Sequence, residues 1–126
     1  MVLEKLIYRL RIFMCMKISK EDIIRINKGF GGSIRNEASL DFALKHEENN
    51  KIGEYKKLAY LFRAILVDHS FTDGNKRTAA YLAFVFANQL NKSVNQDLIA
   101  HHILSIDSKN ISQIRAIEER LKNAIK

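Results

Sequence analysis

The chain has 126 residues, no proline and only five glycines, which fits a single all-α domain with one hydrophobic core. Its only cysteine, Cys15, excludes a disulfide framework and a cysteine-based metal site, and is typical of a reducing, cytoplasmic compartment. The net charge of +7 fits an anionic ligand, an acidic partner, nucleic acid or simply a solvated basic surface.

Residues 1–16 carry apolar side chains at helical spacing, interrupted by basic ones. The pattern predicts an amphipathic N-terminal extension that packs on the domain, and a membrane-surface helix is a second interpretation. A third is that the protein starts at Met16 and that the preceding residues come from a mis-set translation start. The basic residues disfavour a signal peptide, and no segment is long and apolar enough to span a membrane.

Ser19, with Asp22 three residues later, predicts the start of a helix that runs to about Lys28. A glycine-rich break follows. The next predicted helix covers about 38–48, and an apolar stripe predicts another over 55–68, with His69 continuing it.

The run 82–87 has no polar face for two turns, which predicts a buried central helix that starts near Asn75 and ends near Asn91. Two further helices are predicted over about 96–106 and 113–125. Together with the N-terminal extension, these elements predict a bundle of six to seven helices in a single domain, residues 1–126.

The loop between the two central helices carries an anion-binding pattern. Asp73-Gly74-Asn75 is a strong turn and helix-start signal, and the first turn of a helix has free backbone N–H groups. Lys76 and Arg77 place two positive charges at that same end, where cations are unfavourable unless an anion meets them. The local conflict indicates a phosphate site.

The same loop carries candidates for catalysis. His69 is a natural general base at neutral pH, and Asp73 offers a hard oxygen for Mg²⁺. Phe71 is expected to point into the core and anchor the loop. Taken singly, a histidine at a helix end is usually a packing or capping residue, and Asp-Gly-Asn is usually only a turn. The chemical interpretation depends on these residues occurring together.

The stretch from His69 to Arg77 resembles the signature of the Fic/Doc family, H-x-F-x-(D/E)-(G/A)-N-(G/K)-R. The resemblance covers roughly residues 17–125, with weak specificity outside the motif. It implies a helical bundle with a short flap, in some members a small β-hairpin, that holds a target segment by main-chain pairing. The flap would comprise Gly31, Gly32, Ser33, Ile34 and Arg35, whereas the sequence of this stretch taken by itself favours a simple flexible loop.

The resemblance also implies roles and ligands. His69 would deprotonate a target hydroxyl, Asp73 would hold Mg²⁺, and Gly74, Asn75, Lys76 and Arg77 would bind the phosphates of ATP, Asn75 through its side chain.

Two positions separate the branches of the family. Members that transfer AMP usually read G-N-G-R-x-x-R, whereas this chain has Lys76 for the second glycine and Ala80 for the final arginine. The G-N-K-R form resembles the Doc toxins, which bind ATP in reverse and phosphorylate a threonine of a translation elongation factor. A kinase-like toxin is therefore expected, with AMP transfer as the alternative and a non-catalytic basic binding module as a third possibility.

The resemblance implies protein partners. Ser33 to Glu37 has the spacing of the family's inhibitory motif, but Ala38 follows it and the match is judged coincidental. A separate antitoxin, with a disordered tail that folds on the toxin, is therefore expected. Basic residues are spread along the chain without interleaved aromatics, so direct binding of nucleic acid is not favoured.

Overall fold

The computed structural model describes residues 16–126, so the predicted N-terminal extension lies almost wholly outside the described residues. Within 16–126 the helices are α1 (Lys20–Gly29), α2 (Glu37–Lys45), α3 (Glu54–Phe62), α4 (Asn75–Gln89), α5 (Gln96–Lys109) and α6 (Ile114–Ala124). A 3₁₀ turn, His46–Glu48, follows α2, and a π-helical turn, Arg63–Val67, follows α3. This part of the chain contains no sheet, only isolated β-bridges, so the predicted all-α class is confirmed.

Helix α1 begins as its sequence predicts. The backbone N–H of Asp22 donates to Ser19 Oγ (3.1 Å), and the N–H of Ser19 donates to Asp22 Oδ2 (3.3 Å), which completes a capping box. The hydrogen bonds from Ser19 hold the pKa of Asp22 below its usual value. At the other end, the N–H groups of Phe30 and Gly32 both donate to the carbonyl of Asn27. The chain therefore turns back sharply after α1, towards the loop that carries His69 and Asp73.

The prediction of a helix over 55–68 that continues to His69 is wrong at its end. The α-helix stops at Phe62 and widens into the π-helical turn, in which the N–H of Asp68 donates to the carbonyl of Arg63 (3.1 Å). His69 then adopts φ = 51°, which ends the helical path. The side-chain periodicity could not reveal this, because a widened turn leaves the apolar pattern intact.

Helix α4 crosses the centre of the bundle between α1, α3 and α5. Its inner face is buried and made of Ala79, Leu82, Ala83, Phe86 and Ala87. The prediction that 82–87 is buried all round is wrong, since Phe84 is 42% exposed and Tyr81, one turn earlier, is 49% exposed. The buried face of α4 thus fixes the position of its N-terminus, and the opposite face carries exposed aromatic side chains.

The C-terminus closes the bundle on α3. Helix α6 packs along α3, and the hydroxyl of Tyr55 donates to the carbonyl of Ile125 (2.7 Å). An isolated bridge joins Ile125 to Val94, and the N–H of Asn95 donates to the carbonyl of Ala124 (2.8 Å). These contacts fix α3, which leads through the π-helical turn into the loop that carries His69.

One acidic side chain of the bundle is buried without a hydrogen bond. Both carboxylate oxygens of Glu47 are buried, and none of the residues 16–126 hydrogen-bonds to them. Burial raises the pKa of Glu47 to about 7; Lys57 opposes the shift and Glu54 adds to it. The folded state therefore binds this proton more tightly than the unfolded chain does.

This pKa predicts how stability depends on pH. Since the folded state binds the proton more tightly, the free energy of unfolding should fall as the pH rises from 4.5 to about 7. The loss attributable to this group is on the order of 2–3 kcal/mol. Urea unfolding at several pH values should show that Glu47→Gln abolishes this part of the pH dependence, while Glu48→Gln, at the exposed neighbour, retains it. Equal profiles for the two variants would contradict the assignment.

Candidate active site

The active-site loop, residues 68–74, is paired with the flap along one edge. An isolated antiparallel bridge joins Ile34 to Phe71, and the N–H of Arg35 donates to the carbonyl of Ser70 (2.7 Å). The hairpin that the resemblance allowed for Gly31–Arg35 does not form in the described residues, because this segment pairs with the active-site loop instead of with itself.

The other edge of the loop is satisfied by one side chain. Asn75 Oδ1 accepts from the N–H of Phe71 (3.2 Å), and Asn75 Nδ2 donates to the carbonyl of Phe71 (2.9 Å). The Phe71 side chain itself is only 1% exposed. Asn75 therefore clasps the loop to the start of α4, and only its remaining hydrogen-bonding capacity is open to a phosphate.

A buried amide connects the loop to α1. Asn27 Nδ2 donates to the carbonyl of Asp73 (2.8 Å) and to Thr78 Oγ1 (3.1 Å), and the residue is 0% exposed. Asn27 is not among the residues predicted from the sequence. The available signal was an amide four residues after the apolar Ile23, on the face of α1 that is buried.

The start of α4 offers free donors. Gly74 has φ = 71° and is the residue before the helix, and its N–H donates to Asp73 Oδ1 (2.7 Å). A Cβ on Gly74 would lie 2.9 Å from the Cβ of Phe30, so only glycine fits this approach. No residue of 16–126 accepts a hydrogen bond from the backbone N–H groups of residues 75–77, which point out of the helix start.

A pocket of about 420 Å³ lies at this helix start. It brings together all residues predicted for catalysis, metal binding and phosphate binding: His69, Asp73, Gly74, Asn75, Lys76 and Arg77. Phe30, Thr72 and Asp107 complete its walls. Residues 31–35 of the flap do not line it; they support the loop from behind.

The two cations of the pocket differ in their surroundings. Lys76 Nζ lies 3.5 Å from Asp107 Oδ2 of α5, whereas Arg77 has no ion-pair partner among residues 16–126. Asp107 is a second residue that the sequence analysis missed, since nothing near it in the chain marks it. The pairing draws the Lys76 charge towards α5, and Arg77 is the cation left free to meet an anion.

The acidic groups fit Mg²⁺ only together with a ligand. Within 16–126, no three His, Cys, Asp or Glu side chains are grouped as a metal site. Asp73 provides one exposed carboxylate, with Oδ1 already accepting from Gly74. Mg²⁺ is commonly held by one or two carboxylates plus waters and phosphate oxygens, so this donor set fits the ion as a companion of a nucleotide.

The surface beyond the cations is apolar. Ala80 lies one turn after Lys76 and Arg77, and with Ala100, Ile103 and Leu104 of α5 it lines a shallow cavity of about 250 Å³. The position at which AMP-transferring members carry their final arginine is therefore occupied here by an apolar wall.

The described residues form a helical bundle in which His69 and the N-terminus of α4 line one pocket. In a scan against family models, the Fic/DOC family model matches residues 17–87, more than half of the chain. The chain belongs to the Fic/Doc family, whose members are transferases that typically move an AMP or phosphate group and use ATP, often with Mg²⁺. Searches of curated proteins and of solved structures found no match. Among residues 16–126, no helix is both long and apolar enough to cross a membrane.

The close approach of the flap to the loop can be tested at two glycines. A Cβ on Gly32 would overlap Asn27 Oδ1 and the carbonyl of Asp73, whereas a Cβ on Gly29 would meet nothing within 4 Å. We expect Gly32→Ala to lower the free energy of unfolding by about 1–3 kcal/mol. Gly29→Ala, the control, should leave it unchanged or raise it by up to about 1 kcal/mol. Urea unfolding measures both. Equal stability of the two variants would show that the chain relieves the overlap at Gly32 without an energetic cost.

Proposed function

We propose that this protein is a Doc-like toxin that transfers the γ-phosphate of ATP to a threonine or serine hydroxyl of a target protein. The proposal is carried by one observation. The exposed His69, the Asp73 carboxylate, the free N–H groups at the start of α4 and the unpaired Arg77 all line one pocket. A base, a metal ligand and an anion site together meet the needs of phosphoryl transfer, in which positioning and electrostatics do most of the work.

The chain's residues have defined parts in this reaction. The ring of His69 accepts the proton of the target hydroxyl as its oxygen forms a bond to the γ-phosphorus. The bond from that phosphorus to the β,γ-bridging oxygen breaks, and ADP leaves. The N–H groups at the start of α4 and the Arg77 guanidinium bind the oxygens of the transferring group. Mg²⁺, held through Asp73, would supply charge neutralisation to the phosphates.

The choice of the γ-phosphate is supported by the surroundings of α4. Ala80 itself has no charge to offer the β- and γ-phosphates of an ATP bound for AMP transfer, and the cations that line the same cavity are Lys76 and Arg77 of the first turn.

 Because position 80 carries no cation, the positive charge at this end of α4 is sufficient to bind one phosphate group. AMP transfer is the second candidate, because Lys76, which replaces the second glycine of the AMP-transferring members, is engaged by Asp107.

The flap supports the docking of an extended target segment. In its bridge with Phe71, the N–H and carbonyl of Ile34 point away from the active-site loop, and no residue of 16–126 hydrogen-bonds to them. A target strand could pair with this free edge and bring its hydroxyl towards His69. We propose a translation elongation factor as this target, on the strength of the family likeness and the G-N-K-R form of the motif.

The same likeness supports a toxin–antitoxin pair in the cytoplasm. The match between Ser33–Glu37 and the family's inhibitory motif ends at Ala38, and Arg35, inside that stretch, pairs with the active-site loop. A segment fixed in this way cannot also reach across the phosphate site. Inhibition is therefore assigned to a separate antitoxin protein.

Isotope transfer separates the two candidate reactions. The purified full-length chain is incubated with Mg²⁺, a bacterial elongation factor, and ATP labelled at either the α- or the γ-phosphate. We expect label on the target only from the γ-position, and a mass increase of one phosphate in the intact target. Label from the α-position would replace the kinase proposal with AMP transfer, and salt-dependent DNA binding with no transfer would favour a basic binding module.

Loss of the base should remove both transfer and toxicity. We expect His69→Ala to lower the transfer rate by at least about 100-fold, since a general base commonly contributes that much. His101→Ala, at an exposed histidine of α5 outside the pocket, should behave as the unchanged protein. Expression in a bacterial host, followed by growth rate, should show arrest with the unchanged protein and with His101→Ala only. Equal toxicity of His69→Ala would reject a catalytic toxin.

A further inference from the structure

The backbone at His69 is unusual and is held from both sides. His69 has φ = 51°, in the left-handed region that non-glycine residues rarely adopt. Its side chain is exposed in the pocket, so packing of the imidazole does not impose this conformation. The restraint must come from the peptide groups on either side.

The last residue of the flap and the first turn of α2 supply that restraint. Arg35 Nη1 donates to the carbonyl of His69 (3.1 Å) and more weakly to the carbonyl of Asp68 (3.4 Å). Ser39 Oγ donates to Asp68 Oδ2 (2.5 Å), which fixes the residue before the histidine. On the other side, the carbonyl of Ser70 accepts from the N–H groups of Arg35 (2.7 Å) and of residue 36 (3.0 Å).

We propose that Arg35 is a positioning residue for His69. Its guanidinium is the one side-chain donor among residues 16–126 that bonds to the carbonyl of the histidine itself. By holding the carbonyls of residues 68 and 69 at a single nitrogen, it keeps the peptide in the left-handed turn that presents the imidazole to the pocket. The inference deepens the proposed function and rests on it as far as catalysis is concerned, but the backbone effect can be tested without any reaction.

The assignment changes the expected effect of Arg35. As part of a docking flap, its side chain would contact the target, and its loss would weaken target binding and raise KM. As a positioning residue, it acts through His69, so its loss lowers kcat while the binding of ATP with Mg²⁺ and the KM for the target stay nearly unchanged.

Three variants test the proposal. Arg35→Met keeps a long apolar stem and removes every donor, whereas Arg35→Lys keeps one donor nitrogen that can reach the same carbonyls. Arg115→Ala, at an exposed arginine of α6 that pairs only with Glu119, is the matched control. We expect Arg35→Met to lower kcat by about 10- to 100-fold, Arg35→Lys to restore most of the loss, and the control to match the unchanged protein.

A readout independent of catalysis comes from NMR. The ¹³Cα and ¹³Cβ shifts of His69 report its backbone torsion, and they should carry a left-handed signature in the unchanged protein, in Arg35→Lys and in Arg115→Ala. The signature should be lost or averaged in Arg35→Met. If Arg35→Met does not fold, Arg35→Gln replaces it and should give the same loss, because its side chain is too short to bring the amide to the carbonyl of His69.

The outcomes separate this proposal from the proposed function. An unchanged His69 signature in the variant without the donor overturns the positioning role, whatever the reaction proves to be. A rise in KM for the target with kcat intact overturns it in favour of direct docking. If the unchanged protein transfers nothing to any target while the signature is lost in Arg35→Met, the proposed function fails and the structural role of Arg35 stands.

Discussion

The buried amide of Asn27 is the contact on which the geometry of the active site depends. Its Nδ2 binds both the carbonyl of Asp73, 46 residues away, and the hydroxyl of Thr78. One side chain of α1 thereby fixes the Asp73 end of the loop and the first turn of α4 to each other. Its Oδ1 has no hydrogen-bond partner among residues 16–126, a cost of about 1–3 kcal/mol for a buried acceptor. A Cβ at position 32 would overlap this same oxygen, so the close approach of the flap to Asn27 requires a glycine there.

Around this contact, the loop is held rigid while its chemical groups stay open. The main chain of Phe71 is bonded to Asn75 on one edge and bridged to Ile34 on the other, and its ring is buried. His69 and Asp73, by contrast, have exposed side chains. The left-handed backbone of His69 is a strain of roughly 1–3 kcal/mol, which the surrounding hydrogen bonds offset. In the proposed function, such preorganisation would hold the base beside the phosphate site before any substrate binds.

The sequence could predict what depends on neighbours in the chain. The capping box at Ser19 and the helix start after Gly74 depend on residues that are close together in the chain. The residue types in the loop also predicted which residues line the pocket. It could not predict contacts between distant elements. Asp107 reaches the pocket only because α5 packs beside α4, and the conformation of His69 follows from a widened turn and an arginine 34 residues earlier. Apolar periodicity predicts neither the position of Asp107 nor the conformation of His69, because neither changes which residues are buried.

The arrangement of charge at the start of α4 bears on which phosphate reacts. The free N–H groups and Arg77 face the pocket, Lys76 is shared with Asp107, and the next turn presents Ala80 to an apolar wall. A triphosphate laid along α4 would need compensating cations for each group, and this helix supplies them only over its first turn. A single terminal phosphate needs no more than that turn offers. This distribution of charge is the feature that supports the proposed transfer of the γ-phosphate, in which only the terminal phosphate has to meet the start of α4.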